Sequence, residues 1–425
     1  MRIAMVATIV VSFFATATIS QADEIKPLTQ QLRDSKVGKW LTVWGDYSFT
    51  KAHDSLSRGA AHNNRLHLGL RSTPVKPLTL DISMLYSSDI GSMSDLIDDR
   101  NFHLDRGYAT LNLMDDRLRI AAGRRPLGDS VPLSSLQNKD QADDRGNPSL
   151  LEAYHYDGFS ISYAPENLAF LGSHWRVGYG HGYELGNDGP TDALYDSQIL
   201  TIALVPVNLD SAKVWFQWLR GFELFDYPVM NDTAFGNTVP QTNLGYIDWL
   251  SAGFKGKAKD FGLGDLHGFV DFGMSLPHSS GSTSSLAGFQ GLLSGQFFDP
   301  EQARDSKGYA VYAGIRYDLP TLTKIGFEYN HGSKYWIASG ASKTGTRGNV
   351  YEPFIIQEIN LKPVTSIFQK TFFRVGYQYY DYEYTGSNNW IGAPVKISDI
   401  ASGMLLMQAP ITHSYSVYGS FEVHF

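Results

Sequence analysis

The final stretch of the chain, "HSYSVYGSFEVHF", alternates without a break. Tyr415, Val417, Gly419, Phe421, Val423 and Phe425 fall on one face of an extended strand, and Ser414, Ser416, Tyr418, Ser420, Glu422 and His424 on the other. The same period of two recurs along the sequence. It is clearest over 39–49 (Leu41, Val43, Tyr47, Phe49), 62–72 (Leu66, Leu68, Leu70), 78–87 (Leu80, Ile82, Met84, Tyr86) and 117–125 (Leu118, Ile120, Ala122). It returns over 265–276, 307–317, 323–332 and 371–383, with weaker segments at 103–113, 156–164, 174–183, 195–205, 212–221, 246–258 and 351–362. This gives about sixteen strands, each near the roughly 9–11 residues that a tilted strand needs to cross a bilayer. The apolar set is Leu, Val, Tyr and Phe on nearly every segment, which a soluble sandwich or β-helix does not require.

The connections alternate as well. Short ones read "TPVKP", "MDD", "PENLAFLGS", "PVNLDS", "DFGLG", "LPTLT" and "KPVTSIFQ", rich in turn formers. Between them lie long polar segments near 50–61, 88–102, 126–155, 184–194, 222–245, 277–306, 333–350 and 384–410. The fold class expected is therefore all-β, a transmembrane antiparallel β-barrel of about 16 strands with long extracellular loops and short periplasmic turns. An even strand number places both ends on one side, and closure removes the edges that an open sheet would expose.

Composition agrees with a wall that is wet on one face. Aromatic residues make up 13% of the chain, with 24 Tyr, 24 Phe and 41 Gly, while charged residues still reach 18%. There is no Cys, so disulfides, thiolate metal sites and covalent c-type haem are excluded, and no cofactor is expected. The start, "MRIAMVATIVVSFFATATIS", has one basic residue, a Thr-diluted apolar run and the small-residue site Ser20-Gln21-Ala22, which reads as a signal peptide over 1–22. Residues 23–38 read as a short periplasmic lead-in, and 39–425 as the barrel. The terminal strand ending at Phe425 resembles the closing strand of bacterial outer-membrane proteins, which implies recognition by the barrel assembly machinery and residence in outer-membrane lipid and lipopolysaccharide.

Parity also assigns the interior. Opposite the apolar faces lie Arg65, His67, Arg71, Arg106, Arg117, Arg119 and Arg125 on neighbouring early strands, with Arg176, Arg316 and Arg374 later. Arg on the lipid face costs roughly 2–4 kcal/mol at the midplane, so a basic ladder inside is the expected placement. The third long loop carries Asp129, Asp140, Asp143, Asp144 and Glu152. Its position resembles the third loop of general porins, which implies a constriction where these acids face the ladder and set up a transverse field. The competing arrangement is a solvated loop with the arginines neutralised by Asp81, Asp105 and Glu352. Trp44, Tyr329, Trp336 and Phe425 are expected among the aromatic residues at the membrane interfaces.

"YNHGSKYW" places His331 two residues before Ser333, a spacing that resembles the His-x-Ser of outer-membrane phospholipases. A base and a nucleophile still need an orienting partner and an oxyanion site. Where that pattern continues with Asn, this chain has Lys334 and Tyr335, so the expectation is no enzyme. The acidic cluster lacks calcium-loop spacing, and there is no basic patch for nucleic acid outside the expected lumen. The chain as a whole, through "AAGRRPLGD", "YNHGSKYW" and "YDYEYTGSNNW", resembles a family of functionally uncharacterised outer-membrane porins. That resemblance implies a water-filled channel for passive diffusion of small hydrophilic solutes or ions, and the inward arginines favour anions. Two alternatives stay open, a sheath around a multihaem cytochrome and a phospholipase-like hydrolase. A homotrimer or a cytochrome partner is compatible with the pattern.

Overall fold

A computed structural model of the chain describes residues 40–56, 60–90, 102–126, 150–151, 155–181, 198–225, 231–232, 237–238, 242–282, 303–339, 343–361, 370–387, 394–400 and 411–425. The segments 1–22 and 23–38 lie outside the described residues. The wall strands are β1 (Leu41–Asp54), β2 (Ala60–Val75), β3 (Leu78–Ile90), β4 (Phe102–Leu113), β5 (Leu118–Pro126), β6 (His155–Tyr163), β7 (His174–His181) and β8 (Gln198–Asn208). They continue as β9 (Ala212–Phe225), β10 (Asn243–Phe261), β11 (Gly264–Ser279), β12 (Gly308–Asp318), β13 (Thr323–Gly332), β14 (Gly348–Glu358), β15 (Lys370–Tyr382) and β16 (His413–His424). Each pairs antiparallel with its sequence neighbours, and β1 closes on β16 from Asp46↔His424 to Asp54↔Ser416. The result is a closed sixteen-stranded barrel, as the alternation predicts. A two-stranded hairpin of Asn231–Asp232 with Asn237–Thr238 decorates one long connection.

The faces follow from the period of two. On β15, Phe373, Val375 and Tyr377 are exposed on the outer surface while Phe372 and Arg374 point inward and are buried. On β11, Val270 and Phe272 are outward and exposed, and Asp271 and Ser275 are inward and buried. A lipid-facing wall has no need of polar atoms, because every backbone donor and acceptor is met by the ladder. The inner face packs tightly at two recurring pairs. A Cβ on Gly69 would stand 2.1 Å from the Trp44 ring, and one on Gly376 would stand 2.3 Å from the Tyr418 ring. In each pair an inward aromatic from one strand lies over a glycine of the next, so any side chain at the glycine would displace the ring.

Three residues lie elsewhere than the sequence pattern suggests. Trp44 is not at a membrane interface: it lies on the inward face, opposite Gly69, with its ring edge-on to His67 at 5.9 Å. Trp336 is wholly buried inside the barrel rather than set in a headgroup layer, because the connection carrying it turns inward. Arg117 lies in the short turn before β5 and pairs with Glu166 of the next short turn, so it marks the rim and does not line the lumen. Tyr329 and Phe425 occupy the outward face, where Tyr329 neighbours Tyr351 and Phe425 pairs its backbone with Gly45.

The outer wall gives a direct check. Val375→Arg places a guanidinium on the outward face of β15 and should lower the folding free energy into lipid by about 2–4 kcal/mol, read from urea titration in vesicles. An unchanged midpoint would contradict this assignment of faces.

Candidate functional site: a filled half and a polar half of the interior

Strands β8 to β15 direct Ile199, Leu219, Ile247, Trp249, Tyr312 and Phe354 into the barrel, where they form an apolar cluster. Such a cluster needs a cover, and the connection between β13 and β14 supplies it. After Ser333, whose Oγ accepts from the Tyr309 backbone N–H at 2.9 Å, the chain folds inward. Trp336, Ile337 and Ala338 are completely buried. The Trp249 indole donates to the Ile337 carbonyl at 2.8 Å, and the Ile337 N–H donates to Ser275 Oγ at 3.2 Å. The Trp336 indole donates to the Thr344 carbonyl at 2.7 Å, closing the loop on itself.

One cation fastens this loop to the wall. Lys343 Nζ sits between the carboxylates of Glu328 on β13 and Glu352 on β14, with Tyr312 donating to Glu328 at 2.8 Å and Tyr418 to Glu352 at 2.6 Å. Glu328 and Glu352 face each other across the β13–β14 register, so two like charges share one site. Lys343 is what makes that tolerable, since a buried charge without a partner is strongly unfavourable. Burial alone would drive its ammonium towards neutrality, but the two carboxylates outweigh burial and raise its pKa above the ordinary 10.5. A raised value means that the stabilisation is complete below pH 10.5 and declines only as pH climbs through the higher folded value, so the lock holds across the physiological range. Arg347 is also fully buried, donating to the carbonyls of Trp336 at 2.9 Å and Thr385 at 3.1 Å. Burial pulls its pKa down to about 9, which leaves it charged at neutral pH.

A second insertion comes from the third long loop. Its Leu150 and Leu151 are buried in the same cluster, and the Leu150 N–H donates to Asp271 Oδ2 at 2.6 Å on β11, five strands around the wall from β6. Asp129, Asp140, Asp143, Asp144 and Glu152 lie outside the described residues, as does the Asp105 side chain.

The opposite wall, β1 to β7, is polar. Arg71 donates through Nε at 2.9 Å and Nη2 at 2.6 Å to one oxygen of buried Asp81. His67 Nδ1 lies 3.5 Å from Asp46. Arg106 is buried on the same face, whereas Arg65 and Arg119 are exposed. Arg119 sits in one inward row with Ser162 and Arg176, and Arg176 donates to Ser162 Oγ at 2.8 Å. Arg125 belongs to β5 by its backbone pairing with Tyr156. Arg119 Nε also donates to the Asp116 carbonyl of the adjacent short turn at 3.3 Å, so the ladder is part neutralised and part exposed. Among the described residues no group of three or more His, Cys, Asp or Glu could hold a metal ion.

His331 and Ser333 are not joined. His331 Nδ1 meets Asn349 Oδ1 at 3.1 Å on the outer face, Asn349 also accepts from Tyr329 at 2.8 Å, and Ser333 is tied to Tyr309. The sequence had signalled Glu352 and Arg374 as inward by parity. It held no comparable signal for Lys343, which stands in the polar run "GASKTGTRG" and becomes an interior residue only through the fold.

Closed wall, outward apolar face and inward-folded loops define a sixteen-stranded barrel of the porin type. Solved barrels share it: OmpF of Salmonella typhi in complex with daunomycin superposes with a TM-score of 0.50 at 10% identity, covering 90% of this chain and 97% of that one. OprB of Pseudomonas putida gives a TM-score of 0.50 at 11% identity, over 93% and 96% of the two chains. The chain belongs to the family described as "Protein of unknown function (DUF3373)", whose match spans residues 61–425. No curated protein matches it.

The lock can be tested alone. Lys343→Met strands Glu328 and Glu352 together and should cost about 3–5 kcal/mol or free the loop. Freed, the loop becomes cleavable by chymotrypsin after Tyr335 or Trp336 in the otherwise intact barrel, while adding Glu328→Gln restores part of the resistance. Equal protease resistance in wild type and Lys343→Met would contradict the lock.

Proposed function

We propose that the protein is a bacterial outer-membrane porin, a narrowed water-filled channel for passive diffusion of small hydrophilic solutes or ions with a preference for anions. The observation that carries this reading is the division of the interior. One half is closed by a packed loop, and the other is lined by polar and basic side chains on β1 to β7. Permeating ions sense the charges at the narrow section more than the net charge of −8. On the polar wall Arg65 and Arg119 are exposed, while Asp81 is buried and already paired with Arg71. A sheath around a multihaem cytochrome would need an unobstructed lumen, which the inserted residues 336–338 and 343–347 oppose. The reading includes export through a signal peptide over 1–22, assembly through the terminal strand ending at Phe425, contact with lipid and lipopolysaccharide, and a homotrimer as the association to look for.

Planar-bilayer recording under a salt gradient tests selectivity. Arg119→Glu should lower the anion-to-cation permeability ratio by about two- to threefold, with Arg65→Glu acting in the same direction. Reversal potentials identical to wild type in both variants would contradict anion selection by this wall.

A further inference from the structure

At the long-loop end, where β15, β16 and β1 meet the inserted loop, the inner wall leaves a recess of about 360 Å³. It is lined by Asp54, Gln378, Tyr380, Tyr382, Ser414 and Ser416, together with Gly345 and Thr346 of the loop. Its size lies within the range of small-ligand sites. No cationic side chain lines it.

The lining is matched to a ligand that both donates and accepts hydrogen bonds. Tyr380 and Tyr382 stand two residues apart on one strand face, their rings 5.9 Å apart and 17° from parallel. The Tyr380 hydroxyl donates to Gln378 Oε1 at 2.9 Å, and the Tyr382 hydroxyl is 3.0 Å from Ser414 Oγ. Those contacts fix the ring orientations and fix the Gln378 amide with its NH2 turned away from Tyr380. Among the described residues, neither that NH2 nor the Ser416 hydroxyl has a hydrogen-bonding partner. Asp54 stands opposite Ser416 in the β1–β16 register and adds one carboxylate acceptor. A full cation would meet the Gln378 NH2 as an unfavourable donor, and an anion would meet the Asp54 carboxylate with no lining cation to balance it. A neutral molecule rich in hydroxyl groups avoids both penalties and can use every donor and acceptor, with ring C–H faces against the tyrosines.

We propose that this recess is a binding site for a neutral saccharide of one or two pyranose rings at the mouth of the barrel. The proposal rests on the channel reading for its purpose, but its test does not need conduction. Isothermal titration calorimetry of the purified, detergent-solubilised barrel with maltose and with glucose reads binding directly. Wild type should bind at least one of them in the millimolar range. Tyr382→Ala and Gln378→Leu should each weaken binding by about tenfold or more, with folding verified by heat-dependent gel mobility. If Tyr382→Ala fails to fold, Tyr382→Phe with Ser416→Ala takes its place, and the same loss is expected. Absence of heat with both sugars, binding unchanged in the variants, or heat with spermidine in place of sugar would overturn the assignment. No sugar binding by a wild-type barrel that conducts would refute this site and leave the channel reading intact, whereas sugar binding by a wild-type barrel that does not conduct would do the reverse.

Discussion

The ammonium of Lys343, held between Glu328 and Glu352, is the contact on which the interior depends. Two carboxylates on adjacent strands cannot share a buried site while ionised unless a cation stands between them. The cation here comes from a loop, so neutralising the wall and bringing the loop inside are the same event. Once Lys343 is seated, Trp336 and Ile337 reach Trp249 and Ser275, and the apolar side chains of β8 to β15 gain a cover. Without it they would line a water-filled lumen with exposed hydrocarbon, which the hydrophobic effect opposes. A barrel wall does not by itself need such a core, since closure already satisfies its backbone.

What the filled half leaves determines the chemistry of any passage. The remaining wall carries arginines in differing states. Arg71 is spent on Asp81, Arg117 is drawn to the rim by Glu166, and Arg65 and Arg119 stay exposed. The exposed basic charge of that wall is therefore confined to a few positions and does not extend along the whole ladder. The same packing that narrows the barrel builds the polar recess beside Tyr380 and Tyr382, because Gly345 and Thr346 of the loop help to line it.

The strands were legible in the sequence because period-two alternation and turn chemistry are local, and lipid on one side makes the outward residue type uniform. Faces followed from parity, which placed Arg71, Arg119 and Glu352 inward. Parity says nothing of what a side chain meets once inside. Trp44 has the composition of an interfacial aromatic, yet it covers Gly69, a contact set by the β1–β2 register. Trp336 follows a Ser-Lys-Tyr turn that reads as a rim, and its burial depends on strands far away in sequence. The third long loop was expected to fold inward through its acids, whereas the described part that does so is the apolar Leu150–Leu151 pair, fastened by a backbone N–H to Asp271. In each case the missing information was a long-range partner, which no local pattern contains.

The most direct test of a half-filled, conducting barrel is the unitary conductance of the wild type beside a variant in which residues 337–344 are replaced by a three-residue Gly-Ser-Gly turn. Discrete conducting steps are expected in both proteins, with a larger step in the variant, because removing the inserted loop widens the open cross-section. Equal steps would contradict the loop's place in the permeation path, and silence in both proteins would contradict the channel itself.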